Sequence, residues 1–159
     1  MTTRDELIDG FRMIIREGQR TTANFGPDDW GYTVHDEEGG WTVRQLYAHV
    51  TGVAEVMPGL VGALAQSAEG QNVVASVNID DLNAQSVAAK ADLSESDLME
   101  AFKTAHEAAV KFIQELPEDQ LQQQRRFGQI EAPVADLLDT FFIIHAISHI
   151  YHATSRPLN

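Results

Sequence analysis

The chain has no cysteine among its 159 residues. Disulfides, zinc–thiolate sites and cysteine nucleophiles are therefore excluded. Cations are scarce as well: 11 Lys and Arg face 24 Asp and Glu, for a formal net charge of −13. Nucleic-acid backbones are bound by clustered cations, and here only Arg125 and Arg126 are adjacent. The same acidity argues against an anionic membrane surface. No apolar run looks long enough to span a bilayer, and the N-terminal MTTRDELIDGF is charged where a secretory leader would be apolar. These absences lead to the expectation of a soluble cytoplasmic protein. Its length suits a single domain, residues 1–159, with one substantial core.

What is present reads as helix. Thr3 followed by Glu6 is a capping-box pattern, and Leu7, Phe11, Ile14 and Ile15 give the next segment an apolar face. GPDDWGYTVHDEEGG is rich in Gly, Pro and Asp and reads as a loop. Thr42 and Gln45 repeat the capping box and open a helix expected to run to about Ala65. Its inward stripe is expected at Leu46, His49, Val53, Val56 and Leu60, with Pro58 as a kink or early end. AEGQNVVASVN reads as an irregular link. Asp80 or Asp81 is expected to cap a short helix through Ala89, and Ser94, with Asp97, a longer one to Leu116. LPEDQLQQQRRFGQIEAP reads as a long polar connection, and a last helix begins near Pro133 or Val134. Four long helices and one short extra helix make an all-α four-helix bundle.

The last helix carries the most informative residues. His145, His149 and His152 lie in HAISHIYHATSRP at spacings of four and three. At about 100° per residue they share one helical face, with Val134, Leu138 and Phe141 on the same stripe. Imidazoles on an inward stripe are costly to bury unless something satisfies their nitrogens, and a divalent metal does so. Two imidazoles one turn apart can each reach one ion at about 2.0–2.1 Å, and a third from another helix completes the set. His49 stands on the apolar stripe of its own helix and supplies that third group. His49, His145 and His149 are thus the expected metal ligands. The alternative is a polar cluster hydrogen-bonded to Thr, Ser and water. His152 is expected as a fourth ligand, an outer partner of the ligands or a proton-transfer group. His35, in the Gly- and Asp-rich loop, and His106, followed by Glu107, read as exposed.

The order of these parts resembles a known family. A tryptophan-led helix with one histidine (WTVRQLYAHVTGV), a connecting helix beginning IDDLNAQ, and a long last helix with His-x-x-x-His resemble the DinB/YfiT-like superfamily of metalloenzymes. Mycothiol-dependent maleylpyruvate isomerases and bacillithiol-dependent S-transferases belong to it. The resemblance covers most of the chain. It implies an up-down-down-up four-helix bundle holding a divalent metal at one end, with His49 matching the histidine of the second helix. His145 and His149 match the pair of the last helix, where some relatives have Glu first. Many members follow this pair with Arg-Gly-Gln; here Ile150, Tyr151 and His152 follow, so His152 replaces the common Gln.

Three neutral ligands leave a 2+ ion Lewis-acidic, able to hold water or to deprotonate a thiol. Imidazoles suit Zn, Ni, Fe or Cu, with Zn or Ni the expectation. The chain has no thiol of its own, so the resemblance implies mycothiol or bacillithiol as cosubstrate. The implied activity is thiol S-transfer or thiol-dependent isomerisation of a small molecule. A metal-dependent hydrolase and a non-catalytic structural site are the alternatives. Arg44 reads either as a solvated arginine or as a group that meets a substrate carboxylate, and Glu55 is a proton-shuttle candidate. A homodimer is the expected assembly.

Overall fold

The computed structural model describes residues 2–34, 40–68, 70–75 and 77–154; His35 lies outside them. Helix α1 (Arg4–Thr22) starts at the expected capping box, with the Thr3 N–H donating to Glu6 at 2.8 Å. It buries Leu7, Ile8, Phe11 and Ile14. The expected loop that follows contains a short helix, α2 (Pro27–Trp30), because Trp30 folds inward against Phe25 and Tyr47. Helix α3 (Val43–Gln66) is capped by Thr42 and continues through Pro58.

Helix α4 (Ile79–Ala88) is capped by Asn78, whose side chain accepts from the Asp81 N–H; Asp80 and Asp81 occupy its first turn instead of capping it. Ser94 caps α5 (Glu95–Glu115) as expected. The connection after α5 is not simply an irregular polar link. It holds a helical turn, α6 (Glu118–Leu121), and an antiparallel hairpin of β1 (Gln124–Phe127) and β2 (Ile130–Pro133). Gly128 takes a φ of 62° in its two-residue Gly-Gln turn, the Gly-first pattern of a tight hairpin. The Arg125 guanidinium donates to the Leu64 carbonyl at 2.7 Å, tying the hairpin to the end of α3.

The last helix, α7 (Val134–Thr154), is interrupted. Val134–Leu138 and His145–Thr154 are α-helical, and Asp139–Ile144 between them is π-helical. Buried side chains recur every four residues, at Val134, Leu138, Phe142, Ala146 and Ile150. In a regular α-helix each such step drifts by about 40°. The wider π turn takes up that drift by carrying an extra residue. The core therefore holds Phe142 and Ile143, and Phe141 is only half-buried, unlike the expected stripe.

Helix directions follow from contacts at the ends. Arg4, at the start of α1, donates to the Leu116 carbonyl at the end of α5, so these helices are antiparallel. Arg44 and Tyr47, early in α3, meet Ala91 and Phe102 around the start of α5, so α3 and α5 are parallel. The Thr2 N–H donates to Asp136, placing the starts of α1 and α7 together. The bundle is up-down-down-up. The parallel pair α3 and α5 needs a crossover, and the segment carrying α4 supplies it. Gly18 in α1 gives the Phe102 ring its place, since a Cβ there would sit 2.6 Å from the ring.

Two expectations change with this packing. The buried arc of α3 runs through Leu46, Val50, Ala54, Met57, Val61 and Leu64, because α5 and α7 clasp it from two sides; Val56 is 56% exposed. Also, Val43–Gln66 and Val134–Thr154 are long and apolar enough by composition to cross a membrane, contrary to the sequence reading, yet half of each apolar window is buried inside the bundle.

His106 is buried and not a surface residue. It follows Phe102 by one turn, and Leu98, Phe102, Ala105 and Ala109 carry the same inward stripe. Its Nδ1–H donates to the Phe102 carbonyl at 2.6 Å, and the Phe102 and Phe11 rings flank it. Burial pushes the imidazole down to about 4, against the opposing pull of that hydrogen bond. In the unfolded chain it titrates near 6.5. Between these values the unfolded chain binds a proton that the fold does not, so stability falls as pH drops from 6.5 toward 4. Denaturant titrations of His106→Gln should show a shallower loss across this window than the parent, by up to one proton's linkage. Equal slopes would contradict a neutral His106 in the core.

Candidate metal centre

The capping box at Thr42 fixes where α3 begins, and His49 follows about two turns later. α7 runs antiparallel to α3, so its C-terminal part crosses the start of α3 and brings His145 and His149 to His49. His145 and His149 each precede a core residue, Ala146 and Ile150, by one position. At about 100° per residue this sets both imidazoles to one side of the core stripe, against α3.

Their ring nitrogens converge. The Nε2 of His145 lies 3.2 Å from that of His49 and 3.0 Å from that of His149. One nitrogen from each of the three rings falls within 4.8 Å of the others. The ring planes are nearly perpendicular, at 79°, 89° and 88°. His49 and His149 are buried and His145 is half-buried, so the cluster opens toward solvent on one side. Burial, reinforced by the two neighbouring imidazoles, pushes His49 down to about 3; burial also lowers His145. Both rings are therefore neutral near pH 7, the state that ligates metal.

The donor set fits a divalent ion. Nitrogens at about 2.0–2.1 Å on a tetrahedral centre stand roughly 3.3–3.4 Å apart. The contacting pairs are within a few tenths of an ångström of that spacing. Trp41 packs edge-on against the His49 ring, with centroids 4.9 Å apart, and helps fix its orientation. Sequence reasoning did not assign Trp41 a part in the site; it lies just before the Thr42 cap, outside the helix, so helical spacing gave no signal for it.

The other expected residues stand elsewhere. The His152 ring is 6.3 Å from that of His149 and outside the converging set; its buried Nδ1 has no hydrogen-bond partner among the described residues. Arg44 donates to the carbonyls of Lys90, Ala91 and Leu93, closing the C-terminal end of α4. Glu55 pairs with the Lys90 ammonium at 2.7 Å.

Residues 11–141 match the family model described as the mycothiol maleylpyruvate isomerase N-terminal domain. The chain belongs to this family. A solved structure of mycothiol-dependent maleylpyruvate isomerase, a histidine-to-alanine mutant, has the same fold, with a TM-score of 0.67 at 19% identity. The match covers 91% of this chain and 60% of that one, less than two thirds of that protein. No curated protein matches by sequence. The DinB-like bundle implied by the helix order is thus the fold of this isomerase-domain family member.

The geometry leaves His152 outside the set of three. His152→Gln should change Zn affinity by less than about threefold in a chelator competition titration, while His149→Ala should lower it by about 100-fold or more. Equal losses in the two variants would make His152 a ligand.

Proposed function

We propose that this protein is a divalent-metal-dependent enzyme that uses a low-molecular-weight thiol, as a thiol S-transferase or a thiol-dependent isomerase. The observation that carries the reading is the convergence of three imidazole nitrogens from α3 and α7, all within 4.8 Å of one another. Membership of a family described by a mycothiol isomerase domain supports the thiol. When bound, Zn or Ni would supply Lewis acidity and lower the pKa of a thiol in an open fourth position.

The chain's residues would do the rest. His49, His145 and His149 hold the ion, and neutral donors leave its full 2+ charge to act on a ligand. Trp41 braces His49 and screens its ring from water on one side. His152, one turn beyond His149, is placed to exchange a proton with a group bound beside the set. The absence of cysteine means that the thiol comes from outside, as mycothiol or bacillithiol. Three ligands within reach, and a fourth histidine outside the set, favour an open site over a closed structural one. On this reading the protein is cytoplasmic, acts on small molecules and is a homodimer.

Elemental analysis tests the foundation. The purified protein should carry close to one Zn or Ni per chain, and His49→Ala and His149→Ala should each lose it while keeping a helical circular-dichroism spectrum. A parent that carries no metal and takes none up when Zn or Ni is supplied would overturn the reading.

A further inference from the structure

A cleft of about 1150 Å³ opens between the start of α3 and α4. Its helical walls carry small side chains, among them Ala84 and Ala88, and Trp41 contributes an aromatic ring at one edge. The helices are held close just beyond it, where Gly52 faces Ser86 and any Cβ would overlap the serine hydroxyl. These features shape an open, mostly apolar slot walled by small side chains, which leaves room for a flat ligand body.

Its charges point to the ligand's sign. Arg44 and Lys90 both line the cleft, in a protein with only 11 basic residues and a net charge of −13. The Arg44 contacts to backbone carbonyls all use Nη2, and carbonyls leave the guanidinium charge uncancelled. Lys90 is nearly buried, and its partner Glu55 is 47% exposed at the side chain. Asp80 is the opposing charge on the lining. Gln45 and Asn83 add neutral amide groups.

The cleft and the histidine cluster share a wall. Trp41 lines the cleft and also touches His49, with ring centroids 4.9 Å apart. Gln45 lies one turn before His49 on the same stripe of α3. We propose that the α3–α4 cleft is a binding subsite for a small organic anion with a flat apolar body, seated on the other side of Trp41 from His49. The anion subsite rests on the cleft alone; its role as the substrate's seat rests on the metal-enzyme reading above.

The test is a titration of the ¹⁵N-labelled, metal-free full chain with benzoate, followed by NMR. Saturable shifts are expected at the Trp41 indole N–H and the Gln45 and Asn83 side-chain amides. Benzamide, the neutral isostere, should bind about tenfold more weakly or worse. Ala84→Leu puts a bulky side chain into the slot from an exposed position and should weaken benzoate about tenfold. A dispersed spectrum shows that the variant is folded, and Ala88→Leu replaces it if it is not. Absence of shifts with benzoate, shifts confined to other residues, or unchanged affinity in a folded slot-filling variant would overturn the site. Equal binding of benzamide would overturn its preference for anions. Benzoate binding by a protein that takes up no metal would uphold the cleft and sink the metal reading; metal uptake without benzoate binding would do the reverse.

Discussion

The antiparallel crossing of α7 over the start of α3 is the constraint on which the molecule depends. It brings three imidazoles to 3.0–3.2 Å contacts in a largely buried place, where a charged ring beside another would be strongly unfavourable. Burial holds His49 and His145 neutral near pH 7, and neutral rings with converging nitrogens are poised for a cation. The rest of the bundle holds the crossing in place. α5 packs between α1 and α3, the hairpin ties the far end of α3 through Arg125, and the π segment of α7 keeps a four-residue core repeat in phase. The histidines thereby sit beside the core and not at its centre, where a ligand can approach them.

Much of this was legible in the residues, for identifiable reasons. Capping boxes are local, so Thr3 with Glu6 and Thr42 with Gln45 mark true helix starts. The His145 and His149 pair is local too, since a four-residue spacing fixes one face in any helix. Features that depend on tertiary partners were harder to read. Val56 follows the apolar pattern of α3 but faces outward, because the helices around α3 decide which arc is covered. His106 looks like a surface residue beside Glu107, but it lies on the Phe102 stripe, and that stripe was the available signal. The hairpin hides in a polar, Gln-rich stretch whose one clue is Gly128 between Phe127 and Ile130. The π segment also had a trace in the sequence: apolar residues at strict four-residue spacing from Val134 to Ile150 outrun a regular helix.

Fold and function rest on different observations here. The bundle and family are established by the whole chain, whereas the chemistry rests on a few side chains at one end of it. A cysteine-free protein with three convergent imidazoles can offer an ion but not a thiol. The family description supplies the missing partner class, and the proposed cleft beside Trp41 gives the other reactant a place to lie.

Cobalt absorption spectroscopy tests the central claim most directly. Co²⁺ added to the metal-free protein should give the visible bands of a low-coordinate centre, saturating at one ion per chain. A subsequent low-molecular-weight thiol should then produce a sulfur-to-cobalt charge-transfer band, which no protein residue can supply because the chain lacks cysteine. A protein that binds no cobalt, or whose bound cobalt ignores the thiol, would contradict an open three-histidine site.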